Sequence, residues 1–237
     1  VRRGHRRGRL LPRRRHRGGN GKGTSCGRLN VYSGPSSPTL LIACGALARE
    51  LVRIRALNGW GHVEIQCLPA GLHNTPDRIA GAVREKIESE QNRFEQVFVA
   101  YADCGTAGKL DAVLEEYGIE RIPGAHCYEF FAGSDRFAEL ASEEPGSFWL
   151  TDFLVRHFDR LVVRGLGLDR HPGLKPVYFA HYRRVVFLSQ TGAPDLQRMA
   201  RQQADFLGLE YCYRDCGDEP LALVLKPALE LERSCLN

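Results

Sequence analysis

Short β-like runs alternate with amphipathic stretches from residue 39 onward, and few architectures accept that order. Thr39–Cys44 is a continuous apolar run of the kind buried in a sheet. Ala46 to about Asn58 then places Leu47, Leu51 and Ile54 on one helical face. His62–Leu68 reads as a second strand. Thr75-Pro76-Asp77 marks a helix start, with a Thr cap, Pro at the first position and an acid in the first turn. The stripe Ile79, Val83 and Ile87 carries that helix to about Asn92. Gln96–Asp103 is a third strand, and Leu110, Val113, Leu114 and Tyr117 form the next stripe, which Gly118 ends. The pattern predicts a fourth strand or extended segment over 125–131 and a helix over 148–163, whose inner face includes Phe153, Leu154 and His157. Residues 164–182 are mostly loop, with a short helix near Tyr178–Tyr182. Arg184–Gln190, Leu209–Asp215 and Leu221–Leu225 read as strands, with a helix opening at Pro194 between the first two.

Such alternation argues for an α/β fold: a single domain over 39–230 with a mainly parallel, Rossmann-like sheet between helices. Residues 231–237 form a tail. In sheets of this kind, ligands bind outside the carboxyl ends of the strands.

Charge separates this domain from what precedes it. Residues 1–38 hold eleven Arg/Lys and no Asp/Glu, whereas the other residues hold 22 basic and 28 acidic, a net of −6. The leader is too polar and too aperiodic to build a core, which predicts disorder. Three origins are open for it: a nucleic-acid-binding arm, an organelle transit segment, or translated upstream sequence ahead of a start codon placed too early. The Val1 start and the Arg/Gly bias favour the last. Nucleic acid is therefore a partner only if the leader belongs to the working protein. No apolar run reaches eighteen residues, which speaks against a membrane partner. The eight cysteines contain no CxxC pair, and a chain of 237 residues that is 43% apolar has little need of disulfides. A cytoplasmic, reducing location is expected, with the thiols free for packing, metal or nucleophilic roles.

Several predicted strands end in a thiol or hydroxyl followed by glycine: Cys44-Gly45, Cys104-Gly105, Thr191-Gly192 and Cys216-Gly217. Glycine permits a tight turn and close backbone approach. His73 follows the second strand and belongs to the same edge. Alternation along 125–131 puts His126 with Tyr128 on one face and Cys127 with Glu129 on the other. Three chemistries fit these residues. Cys44, Cys104, Cys127 and His73 could ligate zinc, cobalt or an iron–sulfur cluster, although no pair has metal-type spacing. Cys104, just before a helix, could be a nucleophile with a dipole-lowered pKa, with His73 or His126 nearby, His73 first as base, and Asp103 orienting. The backbone of Gly105, Thr106 and Gly108 could cradle the phosphate or carboxylate of a cofactor. Against all three stands the ordinary role of cysteine as a buried packing residue. His181 and its aromatic neighbours could line a pocket, and Cys212 and Cys216 read as bystanders.

The stretches LPAGLHNTP (68–76), YADCGTAG (101–108), HCYEF (126–130), FWLTDFL (148–154) and YFAHYRR (178–184) together resemble domain-of-unknown-function family 1638 of bacteria and archaea. The resemblance covers most of residues 40–226. The family form of the central motif carries two glycines after the threonine, and Ala107 stands in place of the first. The resemblance names no activity. Some members are encoded near corrinoid-dependent methyltransferases, which implies a link to methyl transfer and a small-molecule or corrinoid partner. Two readings follow: a metal- or cofactor-dependent enzyme with a Cys/His site at the strand ends, or a non-catalytic binder of a small anion or corrinoid with structural cysteines.

Overall fold

The computed structural model describes residues 37–90 and 92–230; the basic leader and the tail lie outside them. Among the described residues, seven parallel-paired strands form two sheets with helices packed on them, which is the α/β class expected.

The first sheet has the order β2-β1-β3-β4, from β1 (Thr39–Cys44), β2 (Val63–Leu68), β3 (Gln96–Ala100) and the short β4 (Glu120–Arg121). β1 is central and buried along its whole length. Helix α1 (Ala48–Leu57) follows β1 through a 3-10 turn, α2 (Ile79–Glu90) follows β2, and α3 (Lys109–Tyr117) follows β3. Gly118 closes α3 in the left-handed conformation, as its position predicts. Thr75 makes no capping hydrogen bond; Pro76–Arg78 form a 3-10 turn before α2.

The expected strand over 125–131 is instead helix α4 (Tyr128–Ala132). The Glu129 carboxylate accepts from the N–H groups of Ala125 and His126 at 2.9 and 3.0 Å, which satisfies donors that a strand would have paired. Cys127 and Tyr128 therefore face the same cleft, and the alternation read for them does not apply. α5 (Ser134–Glu143) follows α4 directly through Gly133.

The expected helix over 148–163 divides into three parts. Ser147–Thr151 is strand β5, α6 spans Asp152–Arg156, and Asp159–Val163 is a π-helix. Thr151 caps α6 by accepting from Leu154 N–H at 3.3 Å. α7 (Lys175–Tyr178) is short. β6 (Arg184–Ser189), α8 (Pro194–Leu207) and β7 (Glu210–Asp215) complete the second sheet, in the order β5-β6-β7. Along β6, Val185 and Phe187 enter one core and Val186 and Leu188 another, so this strand is covered on both faces.

Residues 221–225, read as a strand, belong to helix α9 (Glu219–Glu230), which buries Leu221, Leu225 and Leu229 at intervals of four. These leucines join the core of the first sheet, so the chain crosses back after β7. Asp218 pairs with Arg53 of α1 through Oδ1–Nη2 at 2.6 Å. At the far end of the helix, Trp60 Nε1 donates to Glu230 Oε1 at 3.1 Å.

Candidate functional site in the cleft between the two sheets

β1 and β2 leave the first sheet almost in contact. A Cβ on Gly45 would lie 2.9 Å from the Leu68 carbonyl oxygen and 3.3 Å from the Ala70 nitrogen, so only glycine permits this approach. It brings the 3-10 turn Ala70–Asn74, and with it His73, beside Cys44 at the end of β1. From the second sheet come Thr151, Phe153 and Leu154 at the end of β5, and Leu161 of the π-helix. Asn74 donates to the Leu161 carbonyl at 3.2 Å and ties the histidine turn to that helix. Together with Cys127, Tyr128 and Phe131, these residues line a cleft of about 390 Å³, open mouth included. Its walls are mainly hydrocarbon and aromatic. Its polar atoms are two thiols, an imidazole, a phenol and one hydroxyl. Ligands of α/β proteins bind at this edge of the sheet.

Cys104 lies behind Cys127, with the two Sγ atoms 3.0 Å apart. Its backbone is left-handed, at φ 49°, a region that non-glycine residues rarely adopt. Asp103 holds that conformation. Its carboxylate accepts from the N–H groups of Gly105, Ala107 and Gly108 at 3.2, 3.3 and 3.0 Å, and from Thr106 Oγ1 at 2.7 Å. These bonds, Gly108 foremost, keep the Asp103 carboxyl below its ordinary pKa.

These bonds occupy groups for which the sequence suggested other partners. The loop N–H groups of Gly105 and Gly108 and the Thr106 hydroxyl are spent on Asp103 and do not form an open anion cradle. Asp103 acts as the staple of the loop that presents Cys104; its carboxylate is committed to that loop and not to an imidazole. Nor does a helix dipole set the Cys104 thiol, because α3 begins only at Lys109. The thiol pKa is lowered chiefly by the hydrogen bond from Cys127, whose own pKa is raised by the same bond and by burial.

Burial pushes Cys44 up to about 11, so it rests as a thiol. Tyr101, at the end of β3, is 1% exposed, and its hydroxyl has no hydrogen-bond partner among the described oxygens and nitrogens. The neighbouring thiols and, above all, burial raise its pKa. His73 stays partly open to solvent while its ring meets Tyr128 edge-on at 6.3 Å. Desolvation, then the nearby His126, lowers its pKa and keeps the imidazole neutral at pH 7. Among the described residues, no three His, Cys, Asp or Glu side chains are grouped so as to hold a metal ion together. Cys44, Cys104, Cys127 and His73 are neighbours without forming a closed ligand set.

The sequence reading missed Tyr101, Tyr128, Thr151 and Leu161. Thr151 was legible as a helix cap followed by an acid, Asp152. Leu161 carries no signal beyond its apolar character, and Tyr101 and Tyr128 only their place in the stretches YADCGTAG and HCYEF. Phe179 and Tyr182 pack on Phe148 in the second core and do not line the cleft. Cys212 and Cys216 pack at the edge of the third cluster.

Neither the curated proteins nor the solved structures contain a match to this chain. A family model, described as "Protein of unknown function (DUF1638)", matches residues 67–222, which include His73, the Cys104 loop and Cys127. That match spans well over half of the sequence, and the chain belongs to the DUF1638 family.

Proposed function

We propose that the protein is a thiol-dependent enzyme that acts on a small, largely apolar ligand held in the cleft between the sheet ends. One observation carries this reading: cysteines and a histidine far apart in sequence open on one apolar cleft at the strand carboxyl ends. Cys127, backed by Cys104, supplies the nucleophilic sulfur, Cys44 a second sulfur and His73 a base. Soft partners suit such sulfurs, either an electrophilic carbon or a thiophilic metal centre. A corrinoid is larger than the cleft, and Cys44, Cys127 and His73 are the residues that would offer its cobalt sulfur or imidazole ligands.

Two probes test this on the anaerobically purified, reduced chain. Iodoacetamide should label Cys127 at a rate that falls at least about tenfold when His73 is replaced by Ala, if the imidazole assists proton removal. Hydroxocobalamin should show a saturable visible change if a cleft thiolate reaches cobalt, and Cys127→Ser should abolish it. Labelling of Cys127 no faster than the exposed Cys67 and indifferent to His73, with no cobalamin response, would remove the reading.

A further inference from the structure

Cys104 and Cys127 come from different elements, one from the loop after β3 and one from the residue before α4. Their backbones are nonetheless laced together. Asp103 N–H donates to the Gly124 carbonyl at 3.0 Å, and Cys104 N–H to the Ala125 carbonyl at 2.9 Å. The left-handed backbone at Cys104 is strained for a residue that bears a Cβ, and the Asp103 fan of hydrogen bonds holds it. All of this fixes two free sulfurs 3.0 Å apart. A disulfide bond of about 2.05 Å is reached by a closing movement of about 1 Å. Packing two thiols requires neither the strained residue nor the paired backbone.

We infer that Cys104 and Cys127 are a reversible dithiol–disulfide couple in the wall of the cleft, exchanging with low-molecular-weight disulfides. In the singly deprotonated pair, Cys127, the member open to the cleft, attacks one sulfur of a disulfide RSSR while the remaining proton rests on Cys104. The S–S bond of RSSR breaks and RS⁻ leaves. Cys104 then gives its proton to that RS⁻ and attacks the Cys127 sulfur, expelling the second RS⁻. The protein pair is oxidised by two electrons, and RSSR is reduced to one RSH and one RS⁻. Oxidation withdraws the Cys127 thiol from the cleft, so the site works only when reduced. That last consequence rests on the function proposed above; the couple itself does not.

The full chain, incubated at graded ratios of reduced to oxidised glutathione, acid-quenched and mapped by mass spectrometry, decides the matter. The expected product is a Cys104–Cys127 cross-linked peptide that appears in a single transition, with Cys44 and Cys67 still reduced. In Cys104→Ser, glutathione should remain on Cys127 as a mixed disulfide. In Cys127→Ser, Cys104 should stay reduced at the same ratio. Circular dichroism melts establish that both variants fold, and the wild-type cross-link needs neither. Separate glutathione adducts on the two cysteines without a cross-link would overturn the couple, as would a cross-link through Cys44. A chain that forms the link while Cys127-dependent cobalamin binding is equal in both redox states keeps the couple and overturns the cleft as its target.

Discussion

Two residues other than glycine hold left-handed backbone in the loop after β3, Cys104 at φ 49° and Ala107 at φ 51°. Both bear a Cβ where only glycine is unstrained, at about 1–2 kcal/mol each. They differ in what the strain accompanies. Cys104 carries a sulfur into contact with Cys127, whereas the Ala107 side chain takes part in none of the hydrogen bonds of the loop. Replacing Ala107 by Gly places there the residue that is unstrained at this φ. Relief of strain outweighs the added freedom of the unfolded chain, which is worth about 0.4–1 kcal/mol. Ala107→Gly should therefore stabilise the protein by about 0.5 kcal/mol and raise its melting temperature by about 1–2 °C. A lower melting temperature in a scanning calorimeter would show that the Ala107 methyl makes a contact worth more than its strain.

Most elements were legible where periodicity acted alone. β1, β3 and β6 are continuous apolar runs, and α3 and α8 carry regular stripes between a start and a terminal glycine. Reading failed where aromatic, β-prone residues were placed in a helix by their surroundings. Tyr128, Phe130 and Phe131 suggest a strand, but the Glu129 carboxylate organises the turn before them. Between 148 and 163 the opposite happened: a helical stripe ran through β5 and hid the start of α6 at the Thr151 cap. The convergence of Cys44, Cys104, Cys127 and His73 followed from the edge-of-sheet rule, but the sulfur pair did not, because Cys127 was assigned to a strand. α9 permits a discriminating measurement. A strand would bury Leu221, Leu223 and Leu225 together, whereas the helix buries Leu221, Leu225 and Leu229 and leaves Leu223 57% exposed. Leu225→Ala should cost about 2–5 kcal/mol and Leu223→Ala less than about 0.5 kcal/mol in urea unfolding. Equal losses at the two positions would contradict the helix.

The two sheets meet around a carboxyl group with little to hold it. Glu50 of α1 is 3% exposed, and its Oε2 has no hydrogen-bond partner among the described residues. Arg53 attracts it, but Arg53 is engaged bidentately with Asp218 at the start of the crossover helix, and Asp218 and Asp152 of the second sheet both repel it. Burial dominates and raises the Glu50 pKa above 4.5. A carboxyl raised on folding favours the protonated native state. Its contribution is complete below pH 4.5 and is lost as pH rises through the folded-state value, because above that value a buried charge must be maintained. Glu50→Gln removes that charge while keeping the shape. At pH 7 the variant should be more stable than the parent by about 1 kcal/mol, the scale set by an unsatisfied buried polar group. At pH 4 the advantage should vanish, so the difference between the two stability–pH curves grows with pH. Arg53 and Asp218 remain paired in both proteins, which assigns the pH dependence to Glu50. If Glu50→Gln were instead destabilised equally at both pH values, the carboxylate would be a paired, stabilising charge at the junction of the two sheets, and closing this junction would require it ionised.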